Sequence, residues 1–173
     1  MRRQWPLFLL IGVLFAGIGV YFGVQRHSPA PAAEDAATRL LAQSLPDAQG
    51  RQVSLAQYRG KPVLVNFWAT WCPPCVDEMP ELNALQQEMG AGKLQIVGIG
   101  IDSPSNIADF ALRHQISYPL LVAGMGGTEL SRQLGNKAGG LPYTVLLDAS
   151  GRSRKQYLGR VKVEELRADL AAL

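Results

Sequence analysis

Reactive and metal-binding side chains are scarce in this sequence: 173 residues hold two cysteines, Cys72 and Cys75, and two histidines, His27 and His114. Two cysteines three positions apart cannot staple a small domain with a disulfide framework. A closed zinc site needs about four ligands, and neither histidine lies near the cysteines in the chain, so no metal ligand set is expected. No Gly-x-Gly-x-x-Gly stretch follows an apolar run, which excludes a dinucleotide site of that kind. No internal repeat is present. What remains for Cys72 and Cys75 is redox chemistry, or a Cu(I) site made by the two thiolates. For the latter, Met79 lies one turn beyond Cys75, Met125 falls in a distant loop, and no histidine is at hand.

An excess of one charge is lacking as well. There are 17 basic and 14 acidic residues, but Arg2, Arg3 and Arg26 flank the N-terminal apolar run, which leaves 14 of each elsewhere. Arg152, Arg154, Lys155, Arg160 and Lys162 are the one basic cluster. Such runs are ordinarily solvated faces, and no nucleic-acid partner is expected.

The 20 residues from Trp5 to Val24 carry no charge. As a helix they would span about 30 Å, the thickness of a hydrocarbon core. Trp5 and Tyr21 lie near the two ends, where amphipathic rings favour the membrane interface, and Arg2 with Arg3 places the N-terminus in the cytoplasm. Residues 1–25 therefore read as a single-pass anchor in the inner membrane with the body outside, in the periplasm of a Gram-negative host. The alternative is a cleaved signal peptide, for which Ala30-Pro31-Ala32 resembles a cleavage site. Residues 26–38 lack large apolar side chains and read as a flexible linker. Residues 39–173 form the folded domain.

In that domain short apolar runs alternate with helical patterns, the mark of an α/β fold with a sheet covered by helices. Asp47-Ala48-Gln49-Gly50 reads as a turn between two short strands. Val63 to Phe67 and Leu94 to Ile101 read as strands buried on both faces. Between them a helix runs from about Pro73 to Met89, with Val76, Met79, Leu82, Leu85 and Met89 on one stripe and Pro80 as a kink. Ser103 caps the next helix, and a short one runs from about Thr128 to Leu134. Tyr143 to Leu147 is a strand, Asp148-Ala149-Ser150-Gly151 turns into another, and a last helix buries Val163, Leu166, Leu170 and Leu173.

Trp71-Cys72-Pro73-Pro74-Cys75 thus joins a buried strand to a helix. Residues i and i+3 lie on one turn, within reach of a disulfide. Cys72 falls at the helix N-terminus, where unpaired N–H groups and the dipole favour a thiolate, the attacking species. Cys75, one turn deeper, would resolve a mixed disulfide on Cys72. The peroxidase pattern Pro-x-x-x-Thr/Ser-x-x-Cys is not met, because Thr70 stands two residues before Cys72. No cofactor beyond a redox-active Cys72–Cys75 disulfide is required.

The run Val65 to Cys75, the segment Gln52 to Pro62, Pro80 five residues after Cys75 and Gly140-Leu141-Pro142-Tyr143-Thr144 together resemble the exported TlpA/ResA-like group of thioredoxin-fold proteins. The resemblance covers about Leu40 to Leu173. It implies a thioredoxin-like fold with a central mixed β-sheet flanked by helices and an N-terminal β-hairpin extension, here preceded by one transmembrane helix. It implies a cis Pro142, a Leu141 backbone that pairs with substrate, and a docking surface including Trp71 and Trp68, with a core place as the alternative for Trp68. It implies Asp102 as proton acceptor near the sulfurs, with Glu78 second. Asn66 stands where cytosolic thioredoxin has a buried aspartate and cannot take a proton. The implied activity is reduction of protein disulfides, in apocytochrome c or in copper-site and copper-chaperone cysteines. Electrons would come from a membrane thiol carrier of the DsbD/CcdA type. Pro73 and Pro74 supply no N–H to the Cys72 sulfur, and Pro74 stands where oxidising relatives such as DsbA carry histidine. Both point to a reducing pair.

Overall fold

The computed structural model describes residues 31–173. The Trp5–Val24 span and the first part of the linker lie outside the described residues. Among the described residues no helix is long and apolar enough to cross a membrane.

The first element is a helix, α1 (Pro31–Leu41), where a flexible linker to residue 38 was expected. The difference has a plain cause. Ala36, Ala37, Leu40 and Leu41 are all buried, in one core cluster with Leu55, Tyr58, Val65 and Phe67. Two alanines beside two leucines at helical spacing make an apolar face, and small side chains let a helix lie close to what it covers.

Two short strands follow, β1 (Ser44–Pro46) and β2 (Gln52–Ser54), paired antiparallel. Asp47 closes their turn: its Oδ1 accepts the N–H groups of Gln49 and Arg51, both at 2.9 Å, and Gly50 takes φ +80°. A 3-10 turn (Leu55–Tyr58) leads to the main sheet. Its strands are β3 (Val63–Trp68), β4 (Gln95–Gly100), β5 (Leu120–Val122), β6 (Tyr143–Leu147) and β7 (Ser153–Leu158). Their order is β5-β4-β3-β6-β7, with β3–β4 and β4–β5 parallel and β3–β6 and β6–β7 antiparallel, so the sheet is mixed. Every residue of β3, β4 and β6 is buried, as near-continuous apolar strands between two helical layers must be. The β6–β7 turn repeats the first turn's chemistry, with Asp148 Oδ1 accepting from the N–H groups of Ser150 (2.8 Å) and Arg152 (3.0 Å).

The remaining helices are α2 (Pro73–Met89), α3 (Pro104–Arg113), α4 (Gly126–Gln133) and α5 (Val163–Ala171). Ser103 caps α3 by accepting the Asn106 N–H, as expected. Helix α4 begins two residues earlier than its sequence suggests. The faces of β3 divide the core. Leu64 and Trp68 pack with Met79, Leu82 and Leu85 of α2, while Val63, Val65 and Phe67 pack with α1.

Trp68 is wholly buried, its ring 4.7 Å from Phe110, which stacks on His114 at 4.1 Å. Its place over the sheet depends on Gly98, where a Cβ would stand 3.1 Å from Trp68 Nε1 and 2.6 Å from Leu120 Cδ2. Trp68 is therefore core, whereas Trp71 is 66% exposed.

The docking of α1 is testable. Leu41→Ala removes a fully buried side chain and should cost about 2–5 kcal/mol in urea denaturation. Within residues 31–38, Ala37→Asp places a charge at a fully buried position and should destabilise as well, whereas in a free linker it would cost nothing measurable.

Candidate active site

Strand β3 ends at Trp68, and after three intervening residues the chain turns into α2 with Cys72 as its N-cap. The Cys72 carbonyl accepts the N–H groups of Cys75 (3.0 Å) and Val76 (3.1 Å), while Pro73 and Pro74 occupy the first helical turn without N–H groups of their own. Proline is tolerated there because those donors would have had no intrahelical partner. Cys72 and Cys75 form a disulfide, S–S 2.02 Å with Cα atoms 5.3 Å apart. Cys72 retains 5% exposure and Cys75 none. An incoming thiol therefore meets Cys72 first.

The Leu141–Pro142 peptide bond is cis. Leu141 lines a groove of about 390 Å³ with Trp71, Cys72, Pro73, Pro74, Ile101, Met125, Thr128 and Gly139. The expected cis-proline loop and the expected sulfur thus share one surface. Met125, read from the sequence as belonging to a distant loop, also stands on this groove, immediately before α4. Among the described residues no group of three His, Cys, Asp or Glu side chains is placed to hold a metal ion.

Asp102, the implied proton acceptor, is occupied otherwise. Its Oδ2 accepts from the hydroxyl and the N–H of Thr70, and its Oδ1 accepts from Ser103 N–H (2.7 Å) and Asn106 Nδ2 (2.7 Å). Partial burial would raise its pKa, but these donors, Thr70 foremost, outweigh it and hold the carboxyl below its usual range. A carboxylate so stabilised is a poor base. Asp102 braces the Thr70 loop against the start of α3.

Glu78 is the opposite case. It lies three residues after Cys75, on the same side of α2, and is fully buried. Its Oε1 accepts from Asn66 Nδ2 at 2.7 Å, and its Oε2 accepts from the Val161 N–H at 2.9 Å. Asn66 Nδ2 also donates to Thr144 Oγ1 at 2.9 Å. Burial pushes the Glu78 pKa up to about 7, against the pull of the Val161 N–H, the Asn66 amide and the nearby charge of Arg160. Arg160 is itself pinned to Glu81 of α2 at 2.6 Å. Glu78 was the second candidate for the proton acceptor, behind Asp102. Its spacing from Cys75 was the one signal of its place. Of the basic cluster, Arg154 pairs with Asp148, Lys155 with Glu165 and Asp169, and Arg160 with Glu81.

A buried strand delivering a two-cysteine helix N-terminus to a cis-proline loop, on a mixed sheet of this order, defines a thioredoxin-fold thiol–disulfide oxidoreductase. The comparisons with known proteins agree. The chain belongs to the AhpC/TSA family, which it matches over residues 36–165. Thiol-disulfide oxidoreductase ResA of Geobacillus thermodenitrificans is 33% identical over 132 residues, covering 75% of this chain and 72% of that protein. ResA of Geobacillus kaustophilus is 29% identical over 100% of this chain and 99% of its own length. A crystal structure of a thiol:disulfide interchange protein of the thioredoxin family from Chlorobium tepidum superposes with a TM-score of 0.68 at 26% identity, covering 84% of this chain and 98% of that one. The protein is thus an enzyme acting on protein thiols.

The buried carboxyl makes stability depend on pH. The unfolded chain releases the Glu78 proton near 4.5 and the folded one near 7, so between these values the unfolded state binds fewer protons. Stability therefore falls as pH rises through this window, by on the order of 3 kcal/mol. In Glu78→Gln that slope should flatten, read by urea denaturation at pH 4.5, 6 and 7.5. In the variant a turned Asn66 amide can accept from the glutamine Nε2 while the Val161 N–H donates to its Oε1.

Proposed function

We propose that the protein is an exported, membrane-anchored reductase of protein disulfides. The observation that carries this reading is the Cys72–Cys75 disulfide at the start of α2, shallow sulfur first, facing the cis Leu141–Pro142 loop. In the reduced enzyme the Cys72 thiolate attacks a substrate disulfide. A Cys72–substrate disulfide forms and the first substrate sulfur leaves as a thiol. Glu78 then accepts the Cys75 proton. The Cys75 thiolate attacks Cys72 Sγ, the second substrate sulfur leaves, and the Cys72–Cys75 disulfide re-forms. Two electrons pass to the substrate. A group titrating near neutrality suits this proton transfer, which favours Glu78 over the more strongly stabilised Asp102.

The anchor reading rests on the uncharged Trp5–Val24 run with Arg2 and Arg3 before it. Outside the membrane such an enzyme has no soluble reductant. A membrane thiol carrier of the DsbD/CcdA type supplies the electrons, and apocytochrome c or copper-site and copper-chaperone cysteines are the substrates in view. The absence of N–H groups on Pro73 and Pro74 and of a histidine between the cysteines supports a reducing pair. The oxidase reading requires the reverse, and the Cu(I)-carrier reading requires copper to remain on the two thiolates.

Two measurements test this. Equilibration of the purified domain with glutathione buffers should give a potential nearer about −270 mV than about −120 mV, and a value above about −170 mV overturns the reductase reading. In cells, Cys75→Ser should accumulate mixed disulfides on Cys72 that mass spectrometry identifies, and Cys72→Ser should accumulate none. Equal trapping by both variants would refute the order of attack.

A further inference from the structure

The site reading leaves open what kind of disulfide enters. We propose that the N-terminus of α4 is the selective wall of the groove, and that Met125 there selects an extended, cysteine-bearing segment with an apolar side chain two residues from its cysteine. The inference rests on the reductase reading and names its substrate class.

Five large hydrophobic side chains are exposed among the described residues, and two of them, Trp71 (66%) and Met125 (85%), line the groove that holds Cys72. None of the nine lining residues is charged. Apolar groups gathered around a reactive sulfur mark a surface that a partner covers. Local packing puts Met125 there. A Cβ at Gly127 would stand 2.7 Å from Ile101 Cγ1 and 3.1 Å from Ala123 Cβ. Only glycine lets α4 start so close to Ile101, itself a groove residue, and Met125 is the residue before that start.

The occupant follows from depth and backbone. With 5% exposure Cys72, though the more open of the two sulfurs, is recessed in the groove, so a protruding or unfolded strand reaches it better than a disulfide flush with a folded surface. Leu141, beside the cis bond, has neither its N–H nor its C=O bonded among the described residues. It can pair with an added strand. In an extended segment alternate side chains share a face and lie about 7 Å apart. With its cysteine over Cys72, the segment turns the residues two positions away into the same groove. Methionine's unbranched, polarizable side chain adapts to apolar partners of different shape.

The test uses two synthetic peptides, each with a mixed disulfide on its single cysteine, one with leucine and one with aspartate two residues from it. Reduced wild-type enzyme should favour the leucine peptide in kcat/KM by about tenfold, mainly through KM. In Met125→Ala the ratio should fall toward one, and in Met125→Lys it should invert. Leu112→Ala, an exposed leucine elsewhere, should leave the ratio as in the wild type. Equal kcat/KM for both peptides in the wild type, or a ratio unmoved in both Met125 variants, overturns the assignment. Reduction of dithionitrobenzoate by the wild type reports the dithiol itself. If that fails, the underlying reductase reading falls instead.

Discussion

A carboxylate with no access to water has to be met by donors, and the way this protein meets Glu78 ties its parts together. The acid sits on α2, one turn beyond Cys75. Its donors come from the middle of β3 through Asn66 and from the segment after β7 through the Val161 N–H. Asn66 extends the contact to Thr144 of β6, two residues past the cis bond. One buried group thus joins the helix that carries the sulfurs, the central strand and the strand that follows the substrate loop. Hydrogen bonds to a buried charge are expensive to leave unmade, so these elements hold a common register around the reactive pair.

The two carboxylates near the site show how environment, not residue type, assigns a role. Asp102 and Glu78 have nearly the same intrinsic acidity. Asp102 is partly open to solvent and has four donors, which stabilise its charge. Glu78 is sealed and has two, which do not offset its loss of hydration. One becomes a brace between the Thr70 loop and α3, the other a group that exchanges a proton near neutral pH. Arg160, held on α2 by Glu81, lies beside the second and tempers its upward shift. Part of what looked like an ordinary basic surface is therefore bound up with the reactive helix.

Much of the fold was legible before any coordinates. The buried strands around Val65 and Val97, the hairpin turn at Asp47, the Ser103 cap and the helices and strands β6 and β7 that follow come from periodicity and turn chemistry, which act over a few residues. The reactive pair was legible for the same reason, since a Cys-x-x-Cys at a strand-to-helix junction fixes its own geometry within one turn. Pro142 was found by resemblance, not by spacing. The misreadings concern packing. Residues 31–38 look too poor in large side chains to fold, yet Ala36 and Ala37 suit close approach to the sheet. For Trp68 a surface and a core place were both open, and packing over Gly98 and against Phe110 decides for the core.

Where the sulfurs are, which is exposed to attack first, and how strands and helices alternate around them are local matters, because each depends on neighbours in the chain. Which polar groups lose their water and which distant side chains share a surface come only with the packed fold. Glu78 becomes a neutral-range acid only when Val161, 83 residues away, closes over it. Met125 joins the groove only because Gly127 lets α4 press on Ile101. Desolvation and close contact belong to the assembled packing, and no local pattern encodes them.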